Sequence, residues 1–200
     1  MKKIYNCFFL ILITFTFFFS SGCDVLEKFF LNLPIKEGIT ATGTSTTIAE
    51  SDTVYLRDYD AYSDNIDKII SIKYLDALYR TLPRGENPSP PPDSLNLTPG
   101  LMGNNIQVTV TDGDGNLLFT RSLPSAAAED YLTEPYMISL EGIEITLMNN
   151  YLEKIKDETE RDNISFIGTI TMSGIPAPPP GSVNVLTGQI ELLYELEMEP

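Results

Sequence analysis

The chain has 200 residues, with 13 lysines and arginines against 28 aspartates and glutamates, two cysteines and neither histidine nor tryptophan. A net charge of −15 with no Lys/Arg cluster repels phosphate backbones, which excludes nucleic acid as a partner. Without histidine, Ser-His-Asp and Cys-His catalysis and histidine-bound metals are excluded as well.

Residues 1–22 have the three-part order of a secretory signal. Lys2 and Lys3 form a positive start, Ile4 to Phe19 is an uncharged and mostly apolar run of 16 residues, and Ser20, Ser21 and Gly22 are small. A spanning helix needs about 20 apolar residues, so a cleaved signal fits better than a retained membrane helix. The sequence Ser20-Ser21-Gly22-Cys23 resembles the lipobox of bacterial lipoproteins, although Ser20 stands where that family usually has an aliphatic residue. The resemblance implies cleavage between Gly22 and Cys23 and attachment of diacylglycerol to the Cys23 sulfur. The alternative is an ordinary secretory signal followed by an accidental cysteine.

Cleavage takes Lys2 and Lys3 from the bases and no acid, leaving 11 against 28 and a net charge of −17 over 178 residues. Such a surface also repels anionic headgroups, so acyl chains rather than a basic face must hold the protein to a membrane. Cys7 leaves with the signal and Cys23 carries the anchor, so no disulfide is expected. The expected location is the cell envelope of a bacterium, the outer membrane favoured over the inner, with the domain in the periplasm or at the cell surface. Asp24 bears on that choice only in lineages that use it as a retention signal.

Residues 23–200 read as a single domain in which two-residue alternation dominates. In chain order, alternation runs through Val54–Arg57, Ile70–Tyr74, Ile106–Thr111, Ile143–Leu147 and Gln189–Met198, apolar on one face and polar on the other. That is the pattern of antiparallel strands covering a core. Pro83 to Gly100 is expected to be a long Pro-rich loop within that domain, because neither side holds enough strands for a sandwich alone. Asp112-Gly113-Asp114-Gly115-Asn116 predicts a hairpin turn between 104–111 and Leu117–Leu123. A further turn of helix is possible over Ser125–Leu132.

Met148, Tyr151, Leu152 and Ile155 fall at i, i+3, i+4 and i+7, which predicts one short helix near 150–160. Asn150 with Glu153 resembles a capping box, and Asp157 is spaced to pair with Arg161. Ile164–Met172 and Val183–Met198 are expected to pair across a second Pro-rich loop at 174–182. The apolar phase shifts after Val185, which predicts a bulge around Leu186-Thr187-Gly188. The expected fold is mainly β, an antiparallel β-sandwich of about seven to nine strands.

Asp112–Asn116 is not an EF-hand loop: the sixth and twelfth positions that need glycine and glutamate are Leu117 and Leu123. A hairpin turn is the simpler reading, with a weak calcium site as the alternative. Carboxylates gather at Glu153, Asp157, Glu158, Glu160 and Asp162, and at Asp58, Asp60, Asp64 and Asp67, neither group with an apolar setting that would raise a pKa. They read as solvated surface. Asn96 and Asn163 stand in glycosylation sequons, which are common by chance. Pro88–Pro92 and Pro176–Pro180 are stiff segments, suited either to recognition by an aromatic groove or to keeping strand edges from pairing.

The sequence thus nominates no catalytic, cofactor-binding or metal-binding residue, and no cofactor. The expected molecule is a monomer tied to the membrane through Cys23, with no enzymatic activity. It would act as a non-catalytic binding or structural module toward an unidentified envelope partner. A carrier of lipid or another apolar ligand is the alternative, and a carboxylate-dependent hydrolase ranks third.

Overall fold

The computed structural model describes residues 28–82, 102–103, 105–124, 126–127 and 130–199. Strand β1 (Phe29–Gly43) turns through 44–46 into β2 (Thr47–Tyr55), and β3 (Ile69–Thr81) follows a short helix at Asp60–Ser63. After β4 (Met102–Gly103) come β5 (Asn105–Asp112), β6 (Leu117–Ser122), β7 (Ala126–Ala127) and β8 (Tyr136–Met137). The helix Gly142–Leu152 runs into a 3-10 segment at Glu153–Lys156, and β9 (Ser165–Ser173) and β10 (Asn184–Met198) end the described fold. Two four-stranded antiparallel sheets, ordered β1-β10-β3-β8 and β2-β9-β5-β6, form an eight-stranded β-sandwich, with β4 and β7 paired apart from them. No helix among the described residues is long and apolar enough to cross a membrane.

Alternation builds the core. In β1 Leu33, Ile35, Ile39 and Ala41 are buried while Asn32, Pro34 and Lys36 are exposed. Pro34, which has no N–H to give to a ladder, sits on an edge strand where none is needed on its open side. From the other sheet Phe166, Ile170 and Met172 face inward, and Phe166 stacks on Tyr194 of β10 with ring centroids 5.6 Å apart. Tyr151 and Tyr74 meet that pair edge-on, so one aromatic cluster joins both sheets to the helix.

Several expectations need correction. Ile143–Leu147, read as a strand, is the first half of the helix. That helix spans Gly142–Leu152 and continues to Lys156, rather than lying over 150–160. Glu141 and Glu144 make the capping box in place of Asn150 and Glu153: the Glu141 N–H donates to Glu144 Oε2 at 2.7 Å. Met148, Tyr151, Leu152 and Ile155 are buried as their spacing predicts.

The segment 174–182 carries the chain from one sheet to the other. β9 pairs with β2 and β5, and β10 with β1 and β3, so the expected β9–β10 pairing does not form. The bulge expected at 186–188 is absent there as well. The register with β1 is unbroken from Asn184 to Met198, and the phase shifts because residues 184–190 are buried on both faces. Irregularities fall in the β3 register instead, between Leu193 and Tyr194 and between Glu197 and Met198. Arg161 pairs with Asp67 at 2.7 Å and not with Asp157, whose carboxylate accepts from Thr159. Leu56, read as extended, opens a 3-10 turn. Within 125–132 the described elements are β7 and the start of a helix at Asp130–Thr133.

Candidate functional site

Cys23 and Gly22, the Pro-rich segment 83–100 and the Asn96 sequon lie outside the described residues. The 112–116 turn forms as expected, with Gly115 at φ 85°. Asp112 is buried, and its Oδ1 accepts from the backbone N–H of Asp114 at 3.0 Å and of Asn116 at 2.8 Å. Its carboxylate therefore shapes the turn. Asp114 Oδ2 turns away to the Lys154 ammonium at 2.7 Å. Among the described residues no three acidic side chains gather in a way that would hold a metal ion.

Beside this turn is an open cleft of about 380 Å³. Its floor is built around Tyr151 on the helix. The Tyr151 hydroxyl accepts from the N–H of Gly113 (3.2 Å) and of Ser165 (3.0 Å) and donates to the Ser165 carbonyl (2.9 Å). Gly113 is required for that approach, since a Cβ there would stand 2.3 Å from Ser165 Oγ. Lys154 crosses the cleft between Asp114 and Glu160 and lies 5.0 Å over the Tyr151 ring. The hydrogen bond that Lys154 donates to Asp114 holds its ammonium above the usual value. Tyr55 and Asn163 complete the wall.

The aromatic faces of this cleft are covered by cations, Tyr151 by Lys154 and Tyr55 by Arg57 at 4.5 Å, and its carboxylates are paired with Lys154. The Tyr151 phenol proton and both its lone pairs are engaged, and the lysine charge is matched. Of the acids named from sequence, Glu160 reaches this cleft, Glu153 pairs with Lys156 and Asp67 with Arg161. They do not converge on one point.

Sequence reasoning missed Glu37. It occupies an inward position of β1 between Ile35 and Ile39 and is only 7% exposed. Its carboxyl reaches across to β9, where Gly168 leaves room: a Cβ there would lie 2.2 Å from Oε2. The Gly168 N–H donates to it, while Oε1 is buried without a partner. Burial pushes its pKa up to about 8, the Gly168 bond opposes that shift, and the nearby Asp52 charge adds to it. Tyr59 covers this stretch of β1, accepting from the Lys36 N–H (2.9 Å) and donating to the Lys36 carbonyl (3.1 Å). Glu37 is therefore an uncharged acid sealed between the sheets at neutral pH, away from the cleft. The signal was an acid at an apolar phase of alternation, Leu33-x-Ile35-x-Glu37-x-Ile39-x-Ala41.

No protein-family model and no curated protein matches the chain. A solved structure titled Desmodium yellow mottle tymovirus is similar over 87% of this chain and 90% of that chain, at 11% identity and a TM-score of 0.38. A likeness that low carries no argument about function.

Proposed function

We propose that the chain is a lipoprotein of a bacterial cell envelope, anchored through Cys23 after removal of residues 1–22, whose domain is a non-catalytic binding or structural module. The observation that carries the reading is the ordered sequence Lys2-Lys3, apolar run, Ser20-Ser21-Gly22-Cys23. The geometry agrees with it in one respect. The described chain enters at Phe29, at one end of the long strands β1, β10 and β3. Both Pro-rich segments join the fold at the other end, where Gly43 pairs with Asn184, Thr81 with Gly188 and Asn105 with Ser173. An anchor before Phe29 and Pro-rich segments that leave the described fold at the opposite end suit a module that holds a recognition surface away from a membrane.

The non-catalytic part of the reading is supported by the cleft, whose ionisable groups are committed to one another. It is also supported by Glu37, whose raised pKa belongs to a carboxyl only 7% exposed and outside the cleft. Against the carrier alternative, buried side chains from both sheets pack into one core cluster that contains the Phe166–Tyr194 stack. The test is metabolic labelling with a fatty acid in a bacterial host. Wild type should incorporate label and fractionate with membranes, and Cys23→Ser should do neither. Equal labelling of the two would overturn the lipoprotein reading.

A further inference from the structure

We infer that the end of the sandwich where β1 begins rests on the lipid surface, with Phe29 and Phe30 inserted among the headgroups. The inference rests on the lipoprotein reading and deepens it by naming the face that meets the membrane. Phe29 and Phe30 are 52% and 60% exposed. Successive strand residues point to opposite faces, so the two rings flank both sides of the sheet end. The register sets Phe29 beside Met198 and Met198 beside Ile69, and Leu31, Ile69, Ile70 and Met198 are each only partly buried. The result is an apolar rim with the charged residues Lys28, Asp67, Lys68, Glu197 and Glu199 beside it.

The length of chain before the rim says what covers it. Only residues 24–28 separate Cys23 from Phe29, and six Cα steps span at most about 20 Å when fully extended. Acyl chains buried in the bilayer keep the Cys23 backbone at headgroup level. The rim therefore cannot stand farther from the headgroups than that short spacer, and any relaxation of the spacer brings it closer. Aromatic side chains beside an acyl anchor add apolar contact that the anchor alone does not make. Lys28 is ion-paired with Glu197, and Glu199 lies at the same end, so the favoured surface is zwitterionic rather than anionic.

The absence of tryptophan makes the test direct. Full-length lipidated protein carrying Phe30→Trp has a single emitter at the rim, and Val183→Trp has one at the opposite end, where the native side chain is 46% exposed. Each variant is placed in phosphatidylcholine vesicles with plain or brominated acyl chains, and fatty acid on Cys23 is measured in the same sample. The Phe30→Trp emission should shift to the blue and fall about twofold or more with brominated lipid, since an interfacial side chain lies at the headgroup–acyl boundary. Val183→Trp should show neither effect. Equal, water-like emission from both variants with Cys23 acylated would overturn the seat and leave the lipoprotein reading standing. A blue shift without quenching would mean that a second copy of the chain covers the rim, which also overturns it. Absence of fatty acid on Cys23 would remove the anchor and the inference together.

Discussion

Glu37 places an ionisable group where the alternation of β1 calls for an apolar one, and its neighbours decide the consequence. Burial holds its pKa at about 8 against the ordinary 4.5. The folded state thus keeps a proton that the unfolded chain releases above pH 4.5. The contribution of Glu37 to stability is therefore greatest below that value, falls as pH rises from 4.5 to about 8, and levels off beyond. At about 1.36 kcal/mol per unit the loss across the window is at most about 5 kcal/mol. Glu37→Gln keeps a neutral side chain of the same shape. Its thermal midpoint should stay level across that window and exceed wild type at pH 8, and an unchanged slope would show that Glu37 does not titrate as described. Gly168→Ala puts a methyl 2.2 Å from Glu37 Oε2 and 3.0 Å from Ile190 Cδ1, which should cost about 1–3 kcal/mol by overpacking. A double-mutant cycle with Glu37→Ala should recover part of that loss, because the two sites share one space.

The helix Gly142–Leu152 shows how a distant contact fixes an element boundary. Arg121 of β6 binds Glu144 through two guanidinium nitrogens, one at 2.6 Å to Oε1, and its Nε reaches the Ser139 carbonyl at 3.2 Å. Burial disfavours the charged carboxyl of Glu144, but Arg121 and the Glu141 N–H outweigh it and hold the pKa below the usual value. That contribution is present above about pH 4.5 and is lost as pH falls through the lowered value, opposite in sign to Glu37. Glu144→Gln keeps an acceptor for the cap and removes the ion pair, whereas Glu144→Ala removes both. Urea unfolding at pH 7 should show losses of about 1–3 kcal/mol, larger for alanine, and equal values for the two would mean that the cap contributes nothing.

The buried face of this helix was legible, since Met148, Tyr151, Leu152 and Ile155 carry the period themselves. Its start was not, because Ile143 and Leu147 are exposed on an outer face and mimic a strand. Tyr74 of β3 donates its N–H to Asn149 Oδ1 at 2.9 Å, another tie that sequence spacing does not reveal. The 112–116 hairpin was legible because its bonds are local. The partners of β9 and β10 were not, since the choice between pairing and crossing is made by sheet packing and not by the loop at 174–182. The cleft shares that origin: Asp114 and Glu160 were visible as acids, but their meeting at Lys154 depends on how the helix docks.

At the scale of the molecule the two ends of the sandwich are chemically unlike. β1 runs from Phe29 to Gly43, and 14 steps at about 3.3–3.4 Å separate the apolar rim from the opposite end by about 45–50 Å. At that far end Leu82 donates its N–H to the Thr187 carbonyl (2.9 Å), the last described tie before residues 83–100. The second loop is fastened more deeply. Ile175 is buried and donates its N–H to the Thr46 carbonyl at 3.3 Å, and the Pro176 carbonyl accepts from Asn184 Nδ2 at 2.7 Å. Replacing all of 174–182 would therefore damage the core, whereas Ala177 to Ser182 contribute only surface, with Ser182 donating to the Pro179 carbonyl to close a turn at Gly181, φ 83°. A Gly/Ser linker substituted at 177–182 alone should lower stability by only about 0.5 kcal/mol, the usual effect of surface changes. If these loops carry recognition, that variant and its counterpart at 84–99 should each weaken cross-linking of the anchored protein to its envelope partner at an unchanged thermal midpoint. Cross-linking that survives both replacements would move the recognition surface to the 380 Å³ cleft. There Lys154→Met would leave Asp114 and Glu160 unmatched and should alter capture where the loop variants did not.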